Sequence, residues 1–202
     1  YIVTEFGPLG PWEGGYTSWG APIELSSTEK AQFAREGYAN AIFAEKGWCL
    51  GSYAFHWGSK QEATPTWFGM FLPTGEMTES VDMISQFWTG KIPSHRAPYI
   101  VKTDVKFANR EVNANESLVA NITAVSKVTS LVYKWEIRPE VEVRIRDGNG
   151  EKQPNVIWSQ SGSDLSTISF KAPEKPGAYR LYAFVLDGKG KAATANFAFK
   201  VR

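Results

Sequence analysis

Gly177-Ala178-Tyr179-Arg180-Leu181-Tyr182-Ala183-Phe184-Val185-Leu186 runs directly into Asp187-Gly188-Lys189-Gly190, and the stretch reads as one strand and the turn that ends it. Tyr179, Leu181, Ala183 and Val185 fall on every second position, the period at which a strand presents one face. The Asp-Gly-Lys-Gly segment supplies residues that tolerate positive φ, as a tight hairpin requires. Beyond it, Ala195, Phe197, Phe199 and Val201 alternate again. Strand, glycine turn and strand predict an antiparallel hairpin.

Working back from this hairpin, the same period recurs. Leu118, Ala120, Ile122 and Ala124 mark one strand, Leu131, Tyr133, Trp135 and Ile137 the next, and Ile168 and Phe170 a third. Turn signals separate them at Asp147-Gly148-Asn149-Gly150 and Pro176-Gly177. About seven short strands divided by such turns predict a β-sandwich over residues 97–202. Pro93 to Pro98 reads as the linker in front of it.

Residues 1–93 follow a different grammar. Tyr1-Ile2-Val3-Thr4-Glu5-Phe6-Gly7-Pro8 is an apolar strand that ends in a lone carboxylate and a Gly-Pro turn. Strands that deliver an acid at their C-terminal tip are how (β/α) barrels present catalytic groups. A loop rich in Gly, Pro and Trp leads to Ser26-Ser27-Thr28-Glu29, a capping box with Ser26 as N-cap. The helix behind it carries Phe33, Ala34, Tyr38, Ala41 and Ile42 at helical spacing and is expected to stop near Gly47. Cys49 to Trp57 reads as a buried strand. A short helix then places Val81, Ile84, Phe87 and Trp88 on one side and ends at Gly90. Strand, helix, strand, helix implies parallel pairing with right-handed crossovers. A parallel sheet needs both faces covered and a lone pair leaves open edges, so the missing strands are expected from upstream sequence or another chain.

Composition excludes several function classes. With 22 basic and 21 acidic residues there is no electrostatic footprint for nucleic acid. No apolar run is long enough for a membrane span. His56, His95 and Cys49 are too scattered for a metal site, and no cofactor motif is present: no P-loop, no G-x-G-x-x-G and no G-x-S-x-G elbow. His56, one residue before Trp57, should turn to the opposite face of its strand. The single Cys excludes an internal disulfide framework. Compartment stays open, leaning towards secreted or periplasmic, and the sequons at Asn115 and Asn121 matter only where a source glycosylates.

Aromatics are the outlier. Six of the eight Trp (Trp12, Trp19, Trp48, Trp57, Trp67 and Trp88) precede residue 90, several in loops beside Gly, Pro and acids. Each has two readings: core packing, or a flat apolar plate for the C–H face of a sugar. Glu13, Glu24 and Glu62 are loop acids able to bind hydroxyls, read first as solvated or salt-bridged.

Thr4-Glu5-Phe6-Gly7 and Ser52-Tyr53-Ala54-Phe55-His56-Trp57, on consecutive strands, resemble the end of a clan A glycoside hydrolase barrel of the family 2 type. The loop Gln61-Glu62-Ala63-Thr64-Pro65-Thr66-Trp67-Phe68-Gly69 is similar to the last barrel loop of bacterial family 2 hydrolases. The resemblance implies Glu5 as nucleophile and Trp57 as the platform under the cleaved sugar, with Lys60, Gln61 and Trp67 as ligand contacts. The other readings stay open: Glu5 caps a turn or pairs with Arg96 or Lys60, and Trp67-Phe68 packs inward. A retaining glycosidase needs two carboxyl groups roughly 5–5.5 Å apart. The acid/base of the clan, an Asn-Glu pair, is absent from residues 1–93, since Asn115-Glu116 falls in the sandwich.

The fold class expected is therefore α/β plus all-β: the C-terminal portion of a (β/α)8 barrel over 1–93, then an immunoglobulin-like β-sandwich over 97–202. Trp135 and Tyr179 resemble the core Trp and tyrosine corner of the latter. The implied function is retaining glycoside hydrolysis, with carbohydrate and the remainder of the barrel as partners and the 202 residues alone inactive. The alternative is a non-catalytic carbohydrate-binding or adhesion module.

Overall fold

The computed structural model describes residues 1–141 and 151–202. Its elements are β1 (Ile2–Phe6), α1 (Ser27–Tyr38), β2 (Gly51–Ala54), α2 (Glu79–Thr89), β3 (Tyr99–Asp104), β4 (Glu111–Val112), β5 (Ser117–Val125), β6 (Val132–Pro139), β7 (Trp158–Gly162), β8 (Thr167–Lys171), β9 (Gly177–Leu186) and β10 (Ala192–Val201). The turn signal at Asp147-Gly148-Asn149-Gly150 lies outside the described residues.

Eight of these strands build two sheets, ordered β4-β10-β9-β6-β7 and β3-β5-β8. The β9–β10 hairpin pairs antiparallel in register, Tyr179 opposite Phe199 and Val185 opposite Ala193, and Gly188 and Gly190 take the positive φ of its turn. Alternation decides which side chains meet between the sheets. Ala120 and Ile122 from one sheet and Trp135, Ile137, Leu181, Val185, Phe199 and Val201 from the other form one buried core. Trp135 donates its indole N–H to the Leu165 carbonyl at 2.7 Å. The Tyr179 hydroxyl donates back to the Lys175 carbonyl at 2.7 Å, locking the entry to β9.

The first ninety residues depart from the expected barrel portion. β1 and β2 pair in parallel, with Ile2 beside Gly51 and Val3 beside Ser52, but they form a two-stranded sheet to which no other described strand adds. Both α-helices of the described chain lie here, α1 against α2, over a small cluster of Ala34, Met70, Met83 and Ile84. With ten strands and two helices the described fold is dominated by antiparallel β-structure, and it contains no (β/α)8 barrel. The likeness to a clan A glycoside hydrolase is overturned with it. Strand–helix alternation is a local pattern, shared by a single βαβ unit and a barrel, and cannot by itself count strands.

Local boundaries shift for identifiable reasons. Ser26 caps α1 as a full capping box: its Oγ accepts from Glu29 N at 3.2 Å and Glu29 Oε2 accepts from Ser26 N at 2.8 Å. α1 then widens into a π-turn at Ala39–Phe43, short of Gly47. The strand expected over Cys49–Trp57 keeps only Gly51–Ala54, because His56 adopts φ 55°, a left-handed conformation that strand geometry excludes. The pleat argument that set His56 opposite Trp57 therefore lapses. α2 ends as read, at Gly90 with φ 70°.

The helical part sits on the outer face of β9 and β10, which explains why those strands are buried on both sides. A buried polar network forms the seam. Glu24 pairs with Lys30 and accepts from the Thr64 hydroxyl (2.5 Å), the Thr66 hydroxyl (2.9 Å) and the Asn196 amide (2.5 Å). Arg180 continues it, donating to Asn196 Oδ1 (2.6 Å), to the Pro22 carbonyl (2.8 Å) and to Glu140 (3.0 Å). Burial alone would raise the Glu24 pKa. The charge and hydrogen bond of Lys30, the Thr64 hydroxyl and the Arg180 charge outweigh it and hold the carboxyl below the usual range. A second link joins Asp82 to Lys191, with Asp82 Oδ2 accepting from Ala97 N at 2.7 Å. Nearby, His95 meets Asp187 at 2.5 Å. Through Thr64 and Thr66 the first network pins the loop after β2, and through Trp67 it steadies the loop after β1.

Candidate functional site

Those two loops flank a groove of about 420 Å3. Glu5 at the end of β1, Phe6, Trp12, Glu13, Phe33 of α1 and Phe55 line it. Its local construction starts at Gly10. Glu13 N donates to the Gly10 carbonyl at 3.0 Å, and Glu13 Oε2 accepts from Gly10 N at 2.7 Å, so the turn is closed from both sides. A Cβ at residue 10 would stand 2.5 Å from the Trp12 ring, so only glycine lets the indole lie across the turn. Trp12 is 69% exposed while its ring leans on Phe68 at 6.5 Å. Phe68 in turn packs edge-on against Phe55 at 4.8 Å. The result is an exposed indole held on a built aromatic support.

The electrostatics of this groove are one-sided. Two carboxylates, Glu5 and Glu13, face it, and none of its lining residues is Lys, Arg or His. Lys60 stands close by, 5.6 Å from the Phe55 ring, but pairs with Glu62 at 2.5 Å.

The five residues singled out from sequence are not brought to one place. Glu5 is exposed and lines the groove. Trp57, 53% exposed, is absent from that lining: it stacks on Trp88 at 6.1 Å and meets Phe71 edge-on at 5.4 Å. Lys60 is held by Glu62. The Gln61 amide is enclosed, and neither its N nor its O finds a hydrogen-bond partner among the described residues. Trp67 is 3% exposed, with its N–H donated to the Leu9 carbonyl at 2.8 Å and Lys30 5.9 Å from its ring. It holds the Trp12 loop in place from below.

The reading as a retaining hydrolase falls with the barrel. In that architecture catalytic groups converge from the tips of several strands, and the described sheet offers two tips. Trp12, read from sequence either as core or as a sugar-stacking plate, and Glu13, read first as a solvated or salt-bridged loop acid, both stand exposed in the groove. Their signal is Gly10-Pro11-Trp12-Glu13-Gly14, a bulky ring set inside a tight turn. Among the described residues no group of three or more His, Cys, Asp or Glu could hold a metal ion.

No family model and no curated protein matches the chain. Among solved structures it is similar to the PKD1 domain of Vibrio anguillarum Epp, at 19% identity and a TM-score of 0.33, over 54% of this chain and 98% of that one. It is similar to a chitin binding domain from Burkholderia pseudomallei, at 12% identity and a TM-score of 0.35, over 46% of this chain and 56% of that one. A third is the PmoD soluble domain from Methylocystis sp. ATCC 49242 (Rockwell), at 15% identity and a TM-score of 0.30, over 46% and 77%. No helix among the described residues is long and apolar enough to cross a membrane.

Proposed function

We propose that the chain is a non-catalytic carbohydrate-binding module whose ligand lies against Trp12 in the groove beside Glu5. The observation that carries this reading is the Trp12 indole, 69% exposed yet fixed by the Gly10–Glu13 turn and by Phe68. An exposed ring that is already ordered loses little freedom when a sugar stacks on it. The groove volume falls within the roughly 300–1,000 Å3 of small-ligand sites. Glu5 and Glu13 are acceptors for sugar hydroxyls, and with no cation in the lining they favour neutral over acidic glycans. In this role Glu5 binds and does not attack, and the chain alone hydrolyses no glycoside. A glycan-binding role carries a secreted or periplasmic location with it.

Titration calorimetry with neutral cello-, xylo-, manno- and chito-oligosaccharides tests the reading. At least one series binds, and Trp12→Ala weakens that binding roughly 10–100-fold, the loss of an aromatic anchor. Trp57→Ala, outside the groove, leaves it unchanged. Silence across the whole panel, or unaltered affinity in Trp12→Ala, overturns it.

A further inference from the structure

Gly37 stands one residue before the end of α1, and the helix has no need of a glycine there. Its φ lies outside the left-handed region that favours glycine. It does not end the helix, which continues as the π-turn Ala39–Phe43. Nor does a neighbour exclude a side chain: beyond its own helix and adjoining residues, a Cβ built on Gly37 would meet no heavy atom within 4 Å. Glycine is the weakest helix former after proline, so the residue weakens α1 and gives the fold nothing in return. Its place explains it. Gly37 lines the groove, and so does Phe33 one turn earlier. α1 turns Ala31, Ala34 and Tyr38 into the protein, which leaves Phe33 43% exposed. Residues four apart are neighbours on a helix surface. The α1 wall of the groove is therefore an exposed ring with bare backbone beside it.

We infer that Gly37 is the specificity-determining position of this groove: its missing side chain leaves the room in which a sugar ring held on Trp12 reaches the α1 backbone beside Phe33. The inference rests on the glycan reading above and adds to it what limits the ligand's bulk. Glycine is the residue that lets a ligand approach a backbone closely. Phe33 supplies an apolar face for the C–H groups of the same ring. Neither contact involves charge, so this wall reads bulk, while the hydroxyls are left to Glu5 and Glu13. Any side chain at residue 37 enters open groove space, where it strains no part of the fold and competes only with the ligand.

Titration calorimetry with the cello-, xylo-, manno- and chito-oligosaccharides, paired with thermal melts, tests the inference. Gly37→Leu should weaken the best-bound series roughly 10–100-fold, as filling a fitted space does, with circular dichroism unchanged. Glu36→Leu puts the same side chain on the adjoining exposed position outside the lining, and affinity should stay as it is. Gly37→Ala separates room from helix. Its melting temperature should rise by about 2–4 °C, the gain of alanine over glycine in a helix, while affinity falls by less than in Gly37→Leu. A glycine kept for the helix alone would lower stability when replaced and leave binding untouched. Wild-type affinity in Gly37→Leu overturns the inference, as does a lower melting temperature in Gly37→Ala. Either result leaves the glycan reading standing if Trp12→Ala still weakens binding. A wild-type chain that binds none of the four series overturns both.

Discussion

The hydroxyl of Ser27 accepts a hydrogen bond of 2.9 Å from the backbone N–H of Thr194, 167 residues further along the chain. Its neighbour does the same for the other sheet: Thr28 Oγ1 accepts from Ile100 N at 3.0 Å. One turn of α1 thus closes an edge of β10 and an edge of β3, sites where an unpaired strand would otherwise bury or expose its polar groups. Removing either hydroxyl leaves a buried N–H without a partner. Ser27→Ala and Thr28→Val are each expected to lower stability by about 1–3 kcal/mol. Urea unfolding reads this as a lower midpoint at unchanged slope. Wild-type midpoints in both variants would show that the sheet edges are satisfied by other means.

Glu24 is expected to contribute to the acid limb of stability, beside Glu136 and Asp187, whose carboxyls are also held low. The Glu24 carboxyl pKa is held low in the folded chain, below the roughly 4.3 of an unfolded Glu. Its contribution is therefore complete above the unfolded value and is lost as pH falls through the folded one. Glu24→Gln leaves the Lys30 ammonium buried without its partner, at about 3–5 kcal/mol near neutral pH. The same variant should show a shallower fall in melting temperature between neutral and acid pH. An acid limb as steep as wild type would assign it to other carboxylates.

Gln61 points the other way. Its enclosed amide makes no hydrogen bond to the described residues, so its desolvation goes uncompensated. Gln61→Met, close in volume, should raise stability by about 1–3 kcal/mol. A loss in thermal or urea unfolding would mean that the amide finds a partner in solution.

Gly10 separates binding from folding. With a Cβ 2.5 Å from the Trp12 ring, Gly10→Ala must swing the indole off its turn. Glycan affinity should fall as far as in Trp12→Ala, with a shift in tryptophan fluorescence and a melting temperature within a few degrees of wild type. Unchanged affinity would place the sugar elsewhere than on Trp12.

The sequence legible as structure was the part governed by neighbours in the chain. Alternation located β5, β6, β9 and β10, the Ser26–Glu29 pattern located the start of α1, and the Asp187–Gly190 turn closed its hairpin. What misled was of longer range. Arg180, Thr194 and Asn196 occupy the outward positions of their strands and read as solvent-facing, yet they are buried under the helical part. Nothing near them in sequence announces Glu24 or Pro22. The first ninety residues invited a count of strands that two βα units cannot supply, and the same error promoted Trp57 and Trp67. Trp67 is an internal support, and Trp57 belongs with Trp88. Glu5, singled out as a nucleophile, lines the groove, and the placing of Trp12 and Glu13 beside it depends on how a loop folds back, which spacing does not encode.

The seam between Glu24 and Asn196 also sets an order of events during synthesis. The two residues are 172 positions apart, and a ribosome adding about 5–20 residues per second separates their appearance by roughly 10–30 s. For that interval Glu24, Lys30, Thr64 and Thr66 have emerged without the strand that completes their network. The helical part cannot finish before β10 leaves the exit tunnel. Until Asn196 emerges, water takes the place of the hydrogen bond that its amide gives Glu24.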